Sequence, residues 1–288
     1  MVRLKGWRRF RPRAMRPGPA DVFTVAGSRL EQRLESVYGR GWPNVRAEQL
    51  DEAIDAQRRL IGSLGSPIDW LVLVILQAPR AARAQQQMDR HPHGYNGRQT
   101  RLYELIDFND AFVSTVLALP AAQLVGFTDK LHSEVSRFCH QVGARMFEPE
   151  QWEAIVRGLS REVAVYRAAQ AAGYDVDMTD RRTDAFGIDM VISDPETGKS
   201  VNVDCKTPSS YFLRLQELVR DGRLAEDVAI RADQSGHCMV VHERDGVGTE
   251  VVLLRISPEV FGEVEDFAFT NQRGTAGMIR QILTDYGR

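Results

Sequence analysis

The stretch GIDMVISDPETGKSVNVDCKT, residues 187 to 207, decides how the second half of this chain folds. Its middle, Asp194-Pro195-Glu196-Thr197-Gly198-Lys199, is a turn signal between two β-rich runs, so the stretch reads as a hairpin. A hairpin symmetric about Glu196–Thr197 pairs Ile188 with Cys205, Met190 with Val203 and Ile192 with Val201, which makes one face wholly apolar. The other face then carries Asp189 opposite Asp204, with Asn202 and Lys206 two residues to either side of Asp204. A bulge at Gly198 would shift this register by one, and Asp184 is then the second-choice acid.

In that register two carboxylates stand with Cβ atoms roughly 4.5–5.5 Å apart, and like charges so placed repel unless a cation lies between them. Lys206 is one such cation; a bound divalent metal is another. Hard cations such as Mg²⁺ prefer a few carboxylate oxygens together with water and phosphate oxygens. A site of that kind polarises a phosphodiester and acidifies water, and a nearby ammonium stabilises charge developing on phosphorus. The residue types therefore suit phosphodiester hydrolysis. Cys205 falls on the apolar side, so its thiol reads as a packed atom rather than a nucleophile.

Outward from the hairpin, Tyr174–Met178, His237–Glu243 and Glu250–Ile256 also read as strands. Helices are expected over 149–157 and 160–172 (Ser160 as cap), over 211–233 with a break at Gly222, and over 258–286 with a break near Gly274. From Ala26 to about Phe147 the pattern is helical throughout. Ser28 caps a first helix carrying Leu30, Leu34 and Val37, and others follow near 50–61, 68–88, 100–119 and 120–146. His91 and His93 lie in a loop, and His132, Cys139 and His140 on a helix, at spacings that match no metal motif. The chain thus divides into a basic arm (1–20), an all-α domain of open role (21–148) and an α/β domain (149–288).

The pattern of an acid on one strand and acid-x-Lys on the next, GID then VDCKT, resembles the PD-(D/E)xK, or restriction-endonuclease-like, nuclease superfamily. The resemblance covers about residues 160–243. It implies an α/β (α+β) core of mixed sheet flanked by helices, here preceded by the all-α domain. It further implies Mg²⁺ or Mn²⁺ held by Asp189, Asp204 and the backbone carbonyl of Cys205. By the same likeness Lys206 orients or activates the attacking water. Glu162, on the preceding helix, completes the metal shell directly or through water. Ile188 stands where many members carry proline, and Gln234 matches only loosely a glutamine on the later helix. The substrate implied is nucleic acid, DNA before RNA, and the activity a DNA endonuclease. An RNA-cleaving enzyme of the same fold, an inactive nucleic-acid-binding module and a purely structural protein are the alternatives. Symmetric cutting of duplex DNA would call for a homodimer; the sequence itself establishes none.

Composition bounds these readings. The 288 residues suffice for two domains, and a net charge of −2 means that any nucleic-acid contact must come from local basic surface. The first twenty residues hold seven Arg or Lys without an acid or an apolar core, which reads as a solvated tail and not as a secretory signal, with an arm touching phosphates and an organellar transit segment as the alternatives. Three cysteines without a CxxC pair point to a reducing, cytoplasmic setting. The longest apolar run, Trp70 to Leu76, falls far short of the roughly 20 residues that span a bilayer.

Overall fold

A computed structural model describes residues 21–90, 99–179, 183, 187–244 and 247–288. The basic arm, His91, His93 and Asp184 lie outside the described residues. An all-helical region of six helices leads into a mixed five-stranded sheet with helices on both faces.

The helices of the first region are α1 (Val22–Tyr38), α2 (Asp51–Leu64), α3 (Pro67–Asp89), α4 (Gln99–Ala118), α5 (Phe127–Gln141) and α6 (Pro149–Ala171). Helix α3 is the centre: Leu71 to Leu76 are all buried, as an unbroken apolar run predicts for a helix enclosed on every side. It starts at a capping box in which Ser66 and Asp69 satisfy each other's backbone N–H, and Asp69 also accepts from Arg29 of α1 at 2.8 Å. Ser28 caps nothing; it lies inside α1, where its hydroxyl donates to the Thr24 carbonyl. The stretch after Pro120 is a short 3-10 turn, and α5 begins only after Gly126, which takes the left-handed conformation. Among the described residues no helix is long and apolar enough to cross a membrane.

Helix α6 joins the two regions. It runs unbroken through Gly158 and Ser160, where the sequence suggests two helices. Trp152, Leu159 and Val163 belong to the helical core, while Ala164, Val165 and Ala169 belong to the core under the sheet. Burial of both flanks by different partners outweighs the modest propensity cost, about 1 kcal/mol, of one interior glycine.

The strands are β1 (Asp175–Met178), β2 (Met190–Ser193), β3 (Ser200–Lys206), β4 (His237–Arg244) and β5 (Val247–Arg255), in the spatial order β1-β2-β3-β5-β4. Only the β3–β5 pair is parallel. Its crossover carries α7 (Pro208–Arg220) and α8 (Glu226–Ser235), separated around Gly222 as expected. One sheet face packs on α6 and on α10 (Gln272–Tyr286); the other packs on α7 and α8 through Tyr211, Leu215, Leu218 and Ala232.

The segment after Pro258 departs from the expected helix pair. After the short α9 (Pro258–Phe261) the chain forms a hairpin of β6 (Val264–Glu265) and β7 (Ala268–Phe269) before α10. The break falls at Gly262 and not at Gly274, which lies inside α10. Gly262 has φ +72°, and a Cβ there would stand 2.2 Å from the Thr270 hydroxyl, so both conformation and space demand glycine.

Candidate active site

The hairpin register is the one the turn signal predicts: Met190 faces Val203 and Ile192 faces Val201, and all four side chains are buried in the α6-side core. Gly198, at φ +71°, is absorbed within the turn and does not slip the strands. The irregularity comes at the other end. The N–H of Asp189 donates to the Val203 carbonyl at 2.9 Å, although Val203 already pairs with Met190. Two residues therefore lie against one, the arrangement of a β-bulge. Its consequence is that Ile188 does not pair with Cys205 on the apolar face. It turns to the opposite face and packs with Tyr211 and Val251.

The same displacement brings Asp189 onto the end of β3, where its Oδ2 accepts the Cys205 N–H at 2.7 Å. Asp204, only 2% exposed, is ion-paired through Oδ1 with the Lys206 ammonium. Burial, and then the neighbouring Asp204 charge, push the Asp189 carboxyl up to about 7, against the opposing pull of Lys206 and the Cys205 N–H. Asp204 is raised as well, by burial, with Lys206 and Arg214 of α7 opposing. For Lys206, burial disfavours the charge but Asp204 and Asp189 outweigh it, so its pKa lies above that of an ordinary lysine. Beside the two acids, without a metal, Lys206 is thus held as a cation and hydrogen-bond donor. Burial holds the Cys205 thiol far above its usual pKa, in keeping with a packed atom.

Glu162 sits on α6 where the helix passes from one core to the other, beside Val163. It lines a cavity with Asp189, and its charge is felt at both Cys205 and Lys206. The four side-chain positions singled out in the sequence, Glu162, Asp189, Asp204 and Lys206, are thus brought to one end of the β2–β3 pair. Among the described residues no three His, Cys, Asp or Glu side chains converge as a ready metal cage. That does not disqualify the donor set for Mg²⁺, which keeps several waters and uses one or two carboxylates. Two neighbouring carboxylates, one buried and one half-buried, that both resist ionisation are short of positive charge, which a divalent cation would relieve. The residues present fit such an ion, with Asp189, Asp204 and the Cys205 carbonyl as donors and Glu162 beside them.

Two further residues frame the site. Gly187, at φ +73°, takes a conformation that side chains rarely adopt; a Cβ there would lie 3.2 Å from the His242 ring, which would have to shift slightly, and in ordinary contact, 3.6 Å, with Asp204 Oδ2. His242 of β4 is thereby placed next to the acid pair, on the same face as Ile188 and Cys238. Gly187→Ala should lose about 1–2 kcal/mol through left-handed strain alone. Urea unfolding reads that loss, and a variant as stable as wild type would show that the loop has another conformation.

The raised Asp189 also sets a pH dependence. Its folded pKa lies above the ordinary 3.8, so the stability it contributes is full below about pH 4 and is lost as pH rises toward 7. Metal-free protein should lose on the order of 4 kcal/mol from this group over that window, and Asp189→Asn should remove that part of the slope. Urea titrations at pH 5 and pH 8 in EDTA make the comparison; equal slopes for both proteins would contradict it.

No protein family, curated protein or solved structure matches the chain.

Proposed function

We propose that the chain is a metal-dependent nuclease of the PD-(D/E)xK kind, hydrolysing phosphodiester bonds of nucleic acid, DNA before RNA. The observation that carries this reading is the pair of half-buried Asp189 and buried Asp204, with Lys206 ion-paired to Asp204, assembled by a bulge at the joint of β2 and β3.

The chemistry supplied by a bound Mg²⁺ or Mn²⁺ is polarisation of a phosphodiester and acidification of water. The protein's part follows from the groups themselves. Asp189 and Asp204 present carboxylate oxygens from adjacent chain segments that the sheet holds rigidly, and the Cys205 carbonyl adds a neutral donor. Lys206 places a positive charge beside the acids, where negative charge develops on the phosphoryl oxygens. Glu162 supplies an acceptor from across the cavity, suited to orienting water. Burial and the Asp204 charge favour a proton on Asp189, and a bound cation would favour its loss.

The test is cleavage of supercoiled plasmid, single-stranded DNA and RNA with Mg²⁺, with Mn²⁺ or with EDTA. Metal-dependent cutting is expected, and the preferred polymer decides between DNA and RNA. Cutting that persists in EDTA, or no cutting together with no calorimetric metal binding, would replace the proposal with a non-catalytic binding module. A second measurement needs no substrate. Mg²⁺ should raise the unfolding temperature at pH 8 more than at pH 5, because protons compete for Asp189 at the lower pH.

A further inference from the structure

Helix α6 ends in an alanine-rich run, Arg167-Ala168-Ala169-Gln170-Ala171, whose short side chains leave room beside the helix. Between this end of α6, the strand β7 and the first turn of α10 lies a cavity of about 510 Å³. Small ligands are held in cavities of about 300 to 1,000 Å³, so the size suits one. The cavity is separate from the β2–β3 site: none of Glu162, Asp189, Asp204 and Lys206 lines it. Its wall is mostly apolar, built from Ala164, Ala168 and Ala171 of α6 and from Phe269 of β7.

Its charge is one-sided. Arg167 of α6 and Arg273 of α10 line it, and among the described residues no aspartate or glutamate does. The partly buried Arg58, Arg80 and Arg255 each meet a carboxylate at 2.7 to 3.0 Å. Arg167, also partly buried, meets none. Its Nη2 donates at 2.9 Å to the Val116 carbonyl in the last turn of α4, where a cation is favourable. That accounts for one nitrogen of the guanidinium, and the rest have no partner among the described residues. Burial lowers the Arg167 pKa with no acid to oppose it. Arg273 is exposed and has neither an ion pair nor a hydrogen bond among the described residues. It stands in the first turn of α10, where the helix dipole disfavours a cation and no acid accompanies it. Helix stability therefore does not explain it.

What such a cavity lacks is an anion. Guanidinium forks match the oxygens of phosphates and carboxylates. Two of them without a counter-charge favour the more highly charged group. A phosphate monoester carries about −1.5 to −2 at neutral pH, while a carboxylate or a phosphodiester carries a single charge. The apolar wall selects further, because a bare phosphate leaves Phe269 and the alanines uncovered. A ring or short chain joined to the phosphate covers them.

We infer that the cavity between α6, β7 and α10 binds a small organic phosphate monoester, its phosphate between Arg167 and Arg273 and its apolar part against Phe269 and the alanines of α6. The inference is independent of the nuclease reading and assigns the chain a second site. Because Arg167 also donates to the end of α4, a ligand held there engages both the helical region and the sheet region.

The probe is phenyl phosphate, titrated by calorimetry into the full chain in EDTA, so that no metal at Asp189 and Asp204 takes up the phosphate. Inorganic phosphate, benzoate and phenol are the comparisons. Phenyl phosphate should bind at least roughly tenfold more tightly than each of them, a margin that one charge-assisted hydrogen bond or one buried ring supplies. It should also raise the unfolding temperature. Arg167→Gln and Arg273→Gln should each weaken it by roughly tenfold. Ala168→Leu, which fills the cavity and keeps both arginines, should abolish measurable binding. Lys206→Ala should bind the probe as wild type does. Arg167→Gln also loses the bond to α4; if it does not fold, as judged by circular dichroism, Arg273→Gln and Ala168→Leu carry the test. No binding of phenyl phosphate, inorganic phosphate binding as tightly, or wild-type affinity in folded Arg273→Gln or Ala168→Leu overturns the inference. Loss of binding in Lys206→Ala also overturns it, by moving the phosphate to the β2–β3 site.

Discussion

Asp204→Asn should cut nucleic acid roughly 10³-fold more slowly than wild type, the upper end of what loss of one electrostatic group costs an active site. The substitution removes charge and little else. Asparagine is nearly isosteric and still accepts a hydrogen bond from Lys206, so shape and burial survive. What disappears is the anion that Lys206 and a metal both need. Removing one partner of a buried ion pair often costs 3–5 kcal/mol of stability, but Lys206 is not left alone here. Asp189 also faces it and is held up to about 7 partly by Asp204 itself. With Asp204 neutral, Asp189 should ionise at lower pH and take over as the counter-charge. The variant is therefore expected to fold, to bind Mg²⁺ weakly by calorimetry, and to lose part of the pH-dependent stability slope assigned to Asp189, the part due to burial remaining. Cleavage within tenfold of wild type would remove Asp204 from the catalytic set. Lys206→Ala should cost less, about 10²-fold, because it deletes stabilisation of developing charge while both carboxylates remain.

Much of this site was legible in the sequence, for a reason particular to hairpins. A turn of defined residues and a two-residue alternation together fix which side chains share a face, so the Met190–Val203 and Ile192–Val201 pairs followed from Asp194–Lys199 and the apolar positions. That Lys206 stands as the cation beside the two acids was legible from the same alternation; the size of their pull on its proton was not, because it depends on burial that the whole fold supplies. Ile188 failed for a different reason: the bulge at Asp189 is stabilised by long-range bonds, to Val203 and Cys205, and no residue type announces it. His242 was missed because only the β4–β5 pairing and the positive φ of Gly187 bring it near residues far away in the chain. The continuity of α6 was missed because Gly158 and Ser160 look like punctuation, while the burial that overrides them comes from two separate cores.

The hairpin of β6 and β7 was the largest surprise, and Phe267 explains why it forms. The sequence at its tip, Glu265-Asp266-Phe267-Ala268, lacks the Asn-Gly or Asp-Gly that a two-residue turn normally needs. Both tip residues nevertheless have positive φ, 45° for Asp266 and 64° for Phe267. Such a conformation costs a bulky residue about 1–2 kcal/mol. The offset lies in the helical core, where Phe267 is 3% exposed and its ring meets Phe112 at 5.9 Å and Phe127 at 6.0 Å. A residue of the sheet region is thus inserted among the helices, and it clasps the two parts beside α6. Phe267→Ala should destabilise the protein by about 3–5 kcal/mol, the range for emptying a buried phenylalanine site. Phe267→Gly provides the sign test. It removes one more carbon from the core but relieves the left-handed strain, so it should be about 1 kcal/mol more stable than Phe267→Ala. Urea unfolding of the three proteins decides: alanine above glycine would mean that the tip relaxes out of the left-handed region once the ring is gone. Asp189, Asp204 and Lys206 all lie on the hairpin of β2 and β3, so folded Phe267→Ala should keep far more cleavage than Asp204→Asn. Its loss should fall on the cavity lined by Trp70, Asn109, Glu162 and Asp189, whose two walls belong to the parts that Phe267 holds together.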